Sequence, residues 1–248
     1  TVAQTGEAAL QYLKQRELTD ATIDKFDLGF APKNTGVLRE FLLGEGYQEA
    51  DFKDSGLFFQ DKNGEYFEMF RNRLIFPVKD ESGKVIAFSG RKFDPTDTGG
   101  KYVNSPETAI FKKNRVLYNF DQAKISKKEE GHLILFEGYM DVIAADQAGI
   151  HTGIASMGTS LTNEQIYQIN RVTDDLILVY DGDEAGIAAT NRAINLFKDQ
   201  NVKLNVSIVN LPEQLDPDEF IKKYGPEKFS FELNGAKTPL DYQLEQTQ

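Results

Sequence analysis

Between residues 133 and 224 the chain alternates short apolar runs with amphipathic stretches, and that rhythm restricts the fold more than any other feature. The runs are LILF (133–136), GIAS (153–156), LILVY (176–180) and NVSIV (205–209). Helical periodicity follows each of them, at 140–148, 162–171, 185–199 and 217–224. A strand without a polar face needs cover on both sides. Helices returning between such strands supply it, which predicts a parallel sheet flanked by helices.

The first half obeys a different pattern. Residues 7–18 and 21–26 read as helices, the second opened by Thr19-Asp20. Residues 28–31 read as a strand stopped by Pro32, and 35–43 as a helix stopped by Gly44. Residues 57–93 alternate strand-like runs with turns at 61–64 and 80–83, which predicts an antiparallel meander. The polar stretch 94–100 (DPTDTGG) reads as a mobile loop, and 118–128 as a helix running into the charged linker KISKKEEG. The expected α/β organisation is an amino-terminal mixed domain with antiparallel strands (1–128), a parallel-sheet domain (129–234), and the start of a shortened helical subdomain (235–248). The length of 248 residues has room for this, and 40% hydrophobic with 27% charged residues excludes wholesale disorder.

Cysteine is absent, which excludes disulfides, a catalytic thiol and Cys-ligated zinc within the chain, and fits a cytoplasmic protein. Only His132 and His151 could offer imidazole to a metal. No apolar run approaches the ~18 residues of a membrane span, and the polar opening is no secretory leader. A start without Met is read as a fragment or a processed form. The net charge of −11 is unevenly spread. Residues 71–128 hold 13 Lys and Arg against 6 Asp and Glu, whereas residues 131–248 hold 8 against 18. A basic middle beside an acidic second half suggests a polyanion-contacting surface next to a carboxylate site, or simply two solvated faces.

The acids are placed where a parallel sheet puts its ligands, beyond the carboxyl ends of the strands. LILF runs into Glu137, LILVY into Asp181-Gly182-Asp183, and NVSIV is followed by Asp216-Pro217-Asp218. In extended chain Asp181 and Asp183 would share one face roughly 6.5–7 Å apart. Carboxylates gathered in this way repel one another unless hard cations such as Mg²⁺ or Mn²⁺ neutralise them. Two or more such ions can clamp the attacking and leaving oxygens of a phosphoryl transfer. The competing role for Asp181 and Asp183 is to cap the next helix. Asp141, one turn beyond Glu137, reads equally as a further ligand and as a helix-start charge. No phosphate-binding glycine motif of the Walker or Rossmann kind is present.

The motifs Glu137-Gly138-Tyr139-Met140-Asp141, Ala155-Ser156-Met157-Gly158-Thr159-Ser160-Leu161-Thr162, Asp181-Gly182-Asp183-Glu184-Ala185-Gly186 and Asp216-Pro217-Asp218, in that order, resemble the Toprim domain. Upstream, Arg71-Asn72-Arg73-Leu74-Ile75-Phe76-Pro77, Phe88-Ser89-Gly90-Arg91, Lys101-Tyr102-Val103-Asn104-Ser105-Pro106-Glu107-Thr108 and residues 111–118 resemble the catalytic core of bacterial DnaG-type primases. So do residues 12–30, with Arg16 before a short helix. The resemblance covers nearly the whole chain, but not the amino-terminal zinc-binding domain or the carboxy-terminal helicase-binding domain of complete family members.

The resemblance implies a DNA-dependent RNA polymerase that copies single-stranded DNA into short RNA primers from ribonucleoside triphosphates. It implies Glu137, Asp181 and Asp183 as catalytic residues, and a Mg²⁺ or Mn²⁺ cluster on Glu137, Asp141, Asp181, Asp183, Asp216 and Asp218, with no zinc in this fragment. It further implies nucleotide contacts at Arg16, Lys101 and Asn104, in a cleft between the domains, and DNA contacts at Arg71, Arg73 and Arg91. A monomeric core is expected, meeting a replicative helicase only through a domain absent here. The alternatives are a Toprim nuclease or topoisomerase, separable by strand cleavage, and a single-stranded DNA-binding module without catalysis.

Overall fold

The computed structural model describes residues 2–158, 160–200 and 202–246, with side chains from residue 6 onward. The chain divides into one unit of Thr1–Val78 with Lys84–Lys112 and a second of Lys79–Gly83 with Lys113–Gln248.

In the first unit α1 (Val2–Gln15) starts earlier than the periodicity indicates and stops at Gln15, before Glu17 takes a left-handed φ of 63°. Helix α2 (Asp20–Lys25) is capped by Thr19, whose hydroxyl accepts the Thr22 N–H at 3.2 Å. Strand β1 (Gly29–Ala31) leads to α3 (Val37–Gly44) and to α4 (Glu49–Phe52), a short helix that sequence pattern alone did not reveal. The expected meander is two separate sheets. Strands β2 (Phe58–Gln60) and β3 (Tyr66–Glu68) pair only with each other. A break at Asn72, with φ 52°, precedes β4 (Arg73–Lys79). That strand joins β5 (Val85–Lys92), β1 and the edge strand β6 (Tyr102–Asn104) in the order β1-β4-β5-β6. Strand β6 is antiparallel to β5, with Arg91 opposite Tyr102 and Ser89 opposite Asn104.

Helix α3 begins at Gly36, which has no side chain to cap it. The buried Glu68 of β3 does so instead, accepting the N–H groups of Leu38 at 2.7 Å and Arg39 at 3.1 Å. Glu68→Ala is therefore expected to cost about 1–3 kcal/mol, the penalty of orphaned buried donors. Glu68→Gln, which keeps one acceptor oxygen, should cost less. Urea unfolding of both variants checks the order.

The second unit opens with a 3-10 turn (Lys113–Arg115) and α5 (Phe120–Glu130). It continues through β7 (Leu133–Phe136), α6 (Tyr139–Gln147), β8 (Gly153–Ala155), α7 (Asn163–Asn170), β9 (Asp175–Leu178), α8 (Glu184–Asp199) and β10 (Asn205–Ile208). It ends with α9 (Pro217–Tyr224), α10 (Pro226–Asn234) and α11 (Pro239–Glu245). The sheet order is β10-β9-β7-β8 and every pairing is parallel. Strand β7 is fully buried, as its all-apolar sequence requires. Each of its large side chains contributes roughly 1.5–3 kcal/mol relative to exposure. Leu133 and Leu135 join Leu176, Leu178, Ile166, Ile169 and Ile194 in one core. Phe136 meets Phe229 with ring centroids 6.4 Å apart.

Two boundaries differ from the sequence reading. KISKKEEG forms no linker: its first residues complete α5, which Gly131 ends at φ 86°. Ala123 of that helix lies in the core of the second unit, so the units part at 112/113 rather than at 128. The segment read as a new subdomain from 235 contributes Tyr242, 2% exposed, to the same core, and Lys237 bridges to Ile208. Thr247 and Gln248 lie outside the described residues, as does Thr159. Among the described residues no helix is long and apolar enough to cross a membrane.

Candidate active site

In the order β10-β9-β7-β8 the chain leaves β7 toward one edge and β9 toward the other, so the crevice where ligands bind opens between these two paired strands. Glu137 follows β7 directly, and Asp181 follows β9 by three residues. The Glu137 Oε1 accepts the Asp181 N–H at 3.1 Å, which ties the two strand ends together. Burial, and secondarily the charge of Asp183, pushes the Glu137 carboxyl above its ordinary range, against that hydrogen bond and the charge of Arg192.

Asp141 is buried on the first turn of α6. Its Oδ2 accepts the Gly138 N–H at 3.2 Å and its Oδ1 the Asp218 N–H at 3.3 Å. It is thus more than a helix-start charge, because it binds the turn after β7 to the start of α9. Burial, and then the charges of Asp216 and Asp181, raise its carboxyl well above the usual range. Asp183 and Asp216 are the N-caps of α8 and α9, each accepting a backbone N–H on Oδ1 at 2.7 Å. Capping occupies one oxygen of each carboxylate. Asp218, 1% exposed, is ion-paired with Lys222 at 2.7 Å.

The extended-chain picture of Asp181 and Asp183 is corrected here. Strand β9 stops at Leu178 and Asp183 turns to cap α8, so Asp181 adds its field to Asp141 and Asp183 to Glu137. Gly182 and Gly186 make this approach possible. A Cβ on Gly182 would stand 2.7 Å from the Leu211 carbonyl oxygen, and one on Gly186 only 2.0 Å from that of Asp181.

Among the described residues no group of three His, Cys, Asp or Glu side chains is arranged to chelate an ion. The donor set is nonetheless all oxygen, and two of its carboxyls, raised chiefly by burial, also lie in the field of neighbouring acids, which fits hard divalent cations shared among several carboxylates. Two cations the sequence reading passed over stand here. Lys222 was legible as the i+4 partner of Asp218. Arg192 was not, since only the fold brings it to the cavity of about 450 Å³ lined also by Glu137, Ser156 and Tyr180.

In the first unit the named cations form two groups. Arg16 donates from Nε to the Tyr12 hydroxyl at 3.3 Å. The buried Arg91 guanidinium lies 5.7 Å from the Tyr12 ring centre and 5.8 Å from that of Tyr102. Exposed Lys101 precedes β6 and half-buried Asn104 ends it. Arg71 and Arg73 line a different cavity, with Lys33 and residues of the 94–99 loop. Arg71 is exposed, whereas Arg73 is buried beneath the loop, donating to the Gly100 carbonyl at 2.8 Å.

The family models for the DNA primase catalytic core, N-terminal domain, and for a Toprim-like domain match residues 1–124 and 134–221. A DNA primase of Enterococcus faecalis is 47% identical over 244 residues, covering 96% of this chain and 39% of that protein. The RNA polymerase domain of the Mycobacterium tuberculosis primase DnaG superposes with a TM-score of 0.90 at 30% identity, covering 98% of this chain and 80% of that one. A DnaG primase catalytic domain bound to single-stranded DNA gives 0.83 at 36% identity, covering 94% and 73%. The chain belongs to the DnaG-type DNA primase family, with its Toprim domain in the second unit. It spans about two fifths of the length of the curated relatives it matches.

Proposed function

We propose that the chain is the RNA-polymerising core of a DNA primase, joining ribonucleotides on a single-stranded DNA template. The observation that carries this reading, in a chain of this family, is that acids from different strand ends lie within one another's field: Asp183 acts on Glu137, and Asp181, Asp216 and Asp218 act on Asp141. These carboxylates would hold Mg²⁺ or Mn²⁺, which would supply positive charge to the reacting phosphoryl oxygens. Glu137, fixed through Oε1, would turn its other carboxylate oxygen toward the metal or the attacking hydroxyl. Asp141 holds the Glu137 turn and the Asp216 loop at a fixed distance.

In the first unit Arg16, Lys101 and Asn104 take the nucleotide, the cations balancing phosphate charge and Asn104 reading a sugar or base edge. Arg71 is the exposed member of the template set. Arg91, gripped by Tyr12 and Tyr102, holds the Arg16 and β6 surfaces in register as well as adding positive field. The test is incubation with single-stranded template, ribonucleoside triphosphates and Mg²⁺ or Mn²⁺. Short RNA copies are expected. Strand cleavage, or template binding without incorporation under either metal, would refute polymerisation.

A further inference from the structure

The cavity of about 580 Å³ in the first unit contains its own anions. Lys33 and Arg71 stand exposed on it, and Arg73 reaches it from below. Against them the 94–99 loop sets two carboxylates. Asp97 Oδ2 lies 3.7 Å from Arg73 Nη2, and the Asp97 carbonyl accepts Lys92 Nζ at 2.9 Å. Asp94 is held by the Thr96 N–H and hydroxyl at 2.9 and 2.7 Å, within the field of Lys33. The loop is packed down over the arginine: a Cβ on Gly99 would come within 2.5 Å of Arg73 Nη2. A carboxylate offers a guanidinium the same oxygen pair as a phosphodiester.

We propose that the 94–99 loop is an electrostatic latch, in which Asp97 occupies the place on Arg73 that a phosphate of single-stranded nucleic acid takes, with Lys33 as the entry cation beside Arg71. This inference rests on the template-binding reading above and adds to it an internal competitor and a residue, Lys33, that the motifs did not single out. Its signature is an acid whose removal improves binding beyond what one unit of net charge would do. Releasing Arg73 adds a phosphate contact, so the salt dependence should steepen as well as the affinity rise.

The experiment measures fluorescence anisotropy of a labelled oligothymidylate with the intact chain at several NaCl concentrations, circular dichroism confirming that each variant is folded. Asp97→Asn is expected to bind about threefold or more tightly than the parent, with a logarithmic salt slope steeper by about 0.7, the value of one further phosphate on a single strand. Asp97→Ala, which also frees the Gly99 N–H, should move affinity and slope in the same direction. Lys33→Ala should bind more weakly, with a slope shallower by about 0.7. Glu107→Gln removes an exposed acid outside the cavity and should change neither quantity appreciably. Unchanged or weakened binding by both Asp97 variants overturns the latch, and so does an equal gain in Glu107→Gln. An unchanged Lys33→Ala removes Lys33 from the site. Absence of oligonucleotide binding in the parent and all variants overturns the template reading itself, and the latch with it.

Discussion

Asp183→Asn is expected to lose ribonucleotide incorporation by at least about 100-fold, equivalent to about 2.7 kcal/mol of barrier, while the protein keeps its fold. The two halves of this result have separate causes. Asparagine is as good an N-cap as aspartate, so the Gly186 N–H keeps its acceptor and α8 keeps its first turn. The loss is of a negative charge beside Glu137, one of the acids that cations would neutralise. Without added metal that charge is a burden, because it repels Glu137. The variant should therefore be as stable as the parent or more so, by about 0.2–1 kcal/mol, because Asp183 is exposed and solvent screens its repulsion of the half-buried Glu137. Primer synthesis on a single-stranded template, run beside thermal unfolding in the presence of a chelator, tests both halves. A variant that unfolds early would mean that Asp183 serves only the helix. One that stays active would remove it from the chemistry.

Gly186→Ala should be more damaging to the structure than any of the acid substitutions. The added methyl group would lie 2.0 Å from the Asp181 carbonyl oxygen and 2.7 Å from its carbonyl carbon, against backbone that no rotamer change can move. Helix α8 must then lift from the strand end that presents Asp181. Overpacking of this kind costs about 1–3 kcal/mol or more, and the backbone partner puts this case at the upper end. Gly6→Ala makes a clean control. That glycine is inside α1 with none of the described residues within 4 Å of the new Cβ, so helix propensity should stabilise the variant by roughly 0.5–1 kcal/mol. Chemical denaturation of the two variants should therefore give opposite signs. Activity should fall only in Gly186→Ala, since it alone displaces an acid of the site.

The second unit was largely legible in the sequence. LILF and LILVY have no polar face, and a four-residue strand of that kind can be satisfied only between two helical layers. Acids and glycines immediately after the strands marked the crevice, because adjacency along the chain places the next few residues at the strand end whatever the rest of the fold does. The first unit was less legible. Strands β2 and β3 alternate like β4 and β5, and nothing local says which edges pair; the left-handed Asn72 separates the two sheets. The end of helix α5 looked like a linker because its residues are charged, while Phe120 and Ala123 carry the helix's packing.

By itself the sequence determined the element types of the second unit's sheet region and the candidate acids of the site. These come from periodicity and from adjacency along the chain. Only the tertiary structure decided how those parts are used. It paired β7 with β9, so that Glu137 accepts the Asp181 N–H across 44 positions of sequence, and it made Asp141 a strut between the β7 turn and α9. It also buried Arg73 under a loop whose own aspartate faces it, while leaving Arg71 open to solvent. Two arginines two positions apart on one chain segment look alike in sequence. Their exposure depends on which distant residues pack over each, and that is a property of the folded chain.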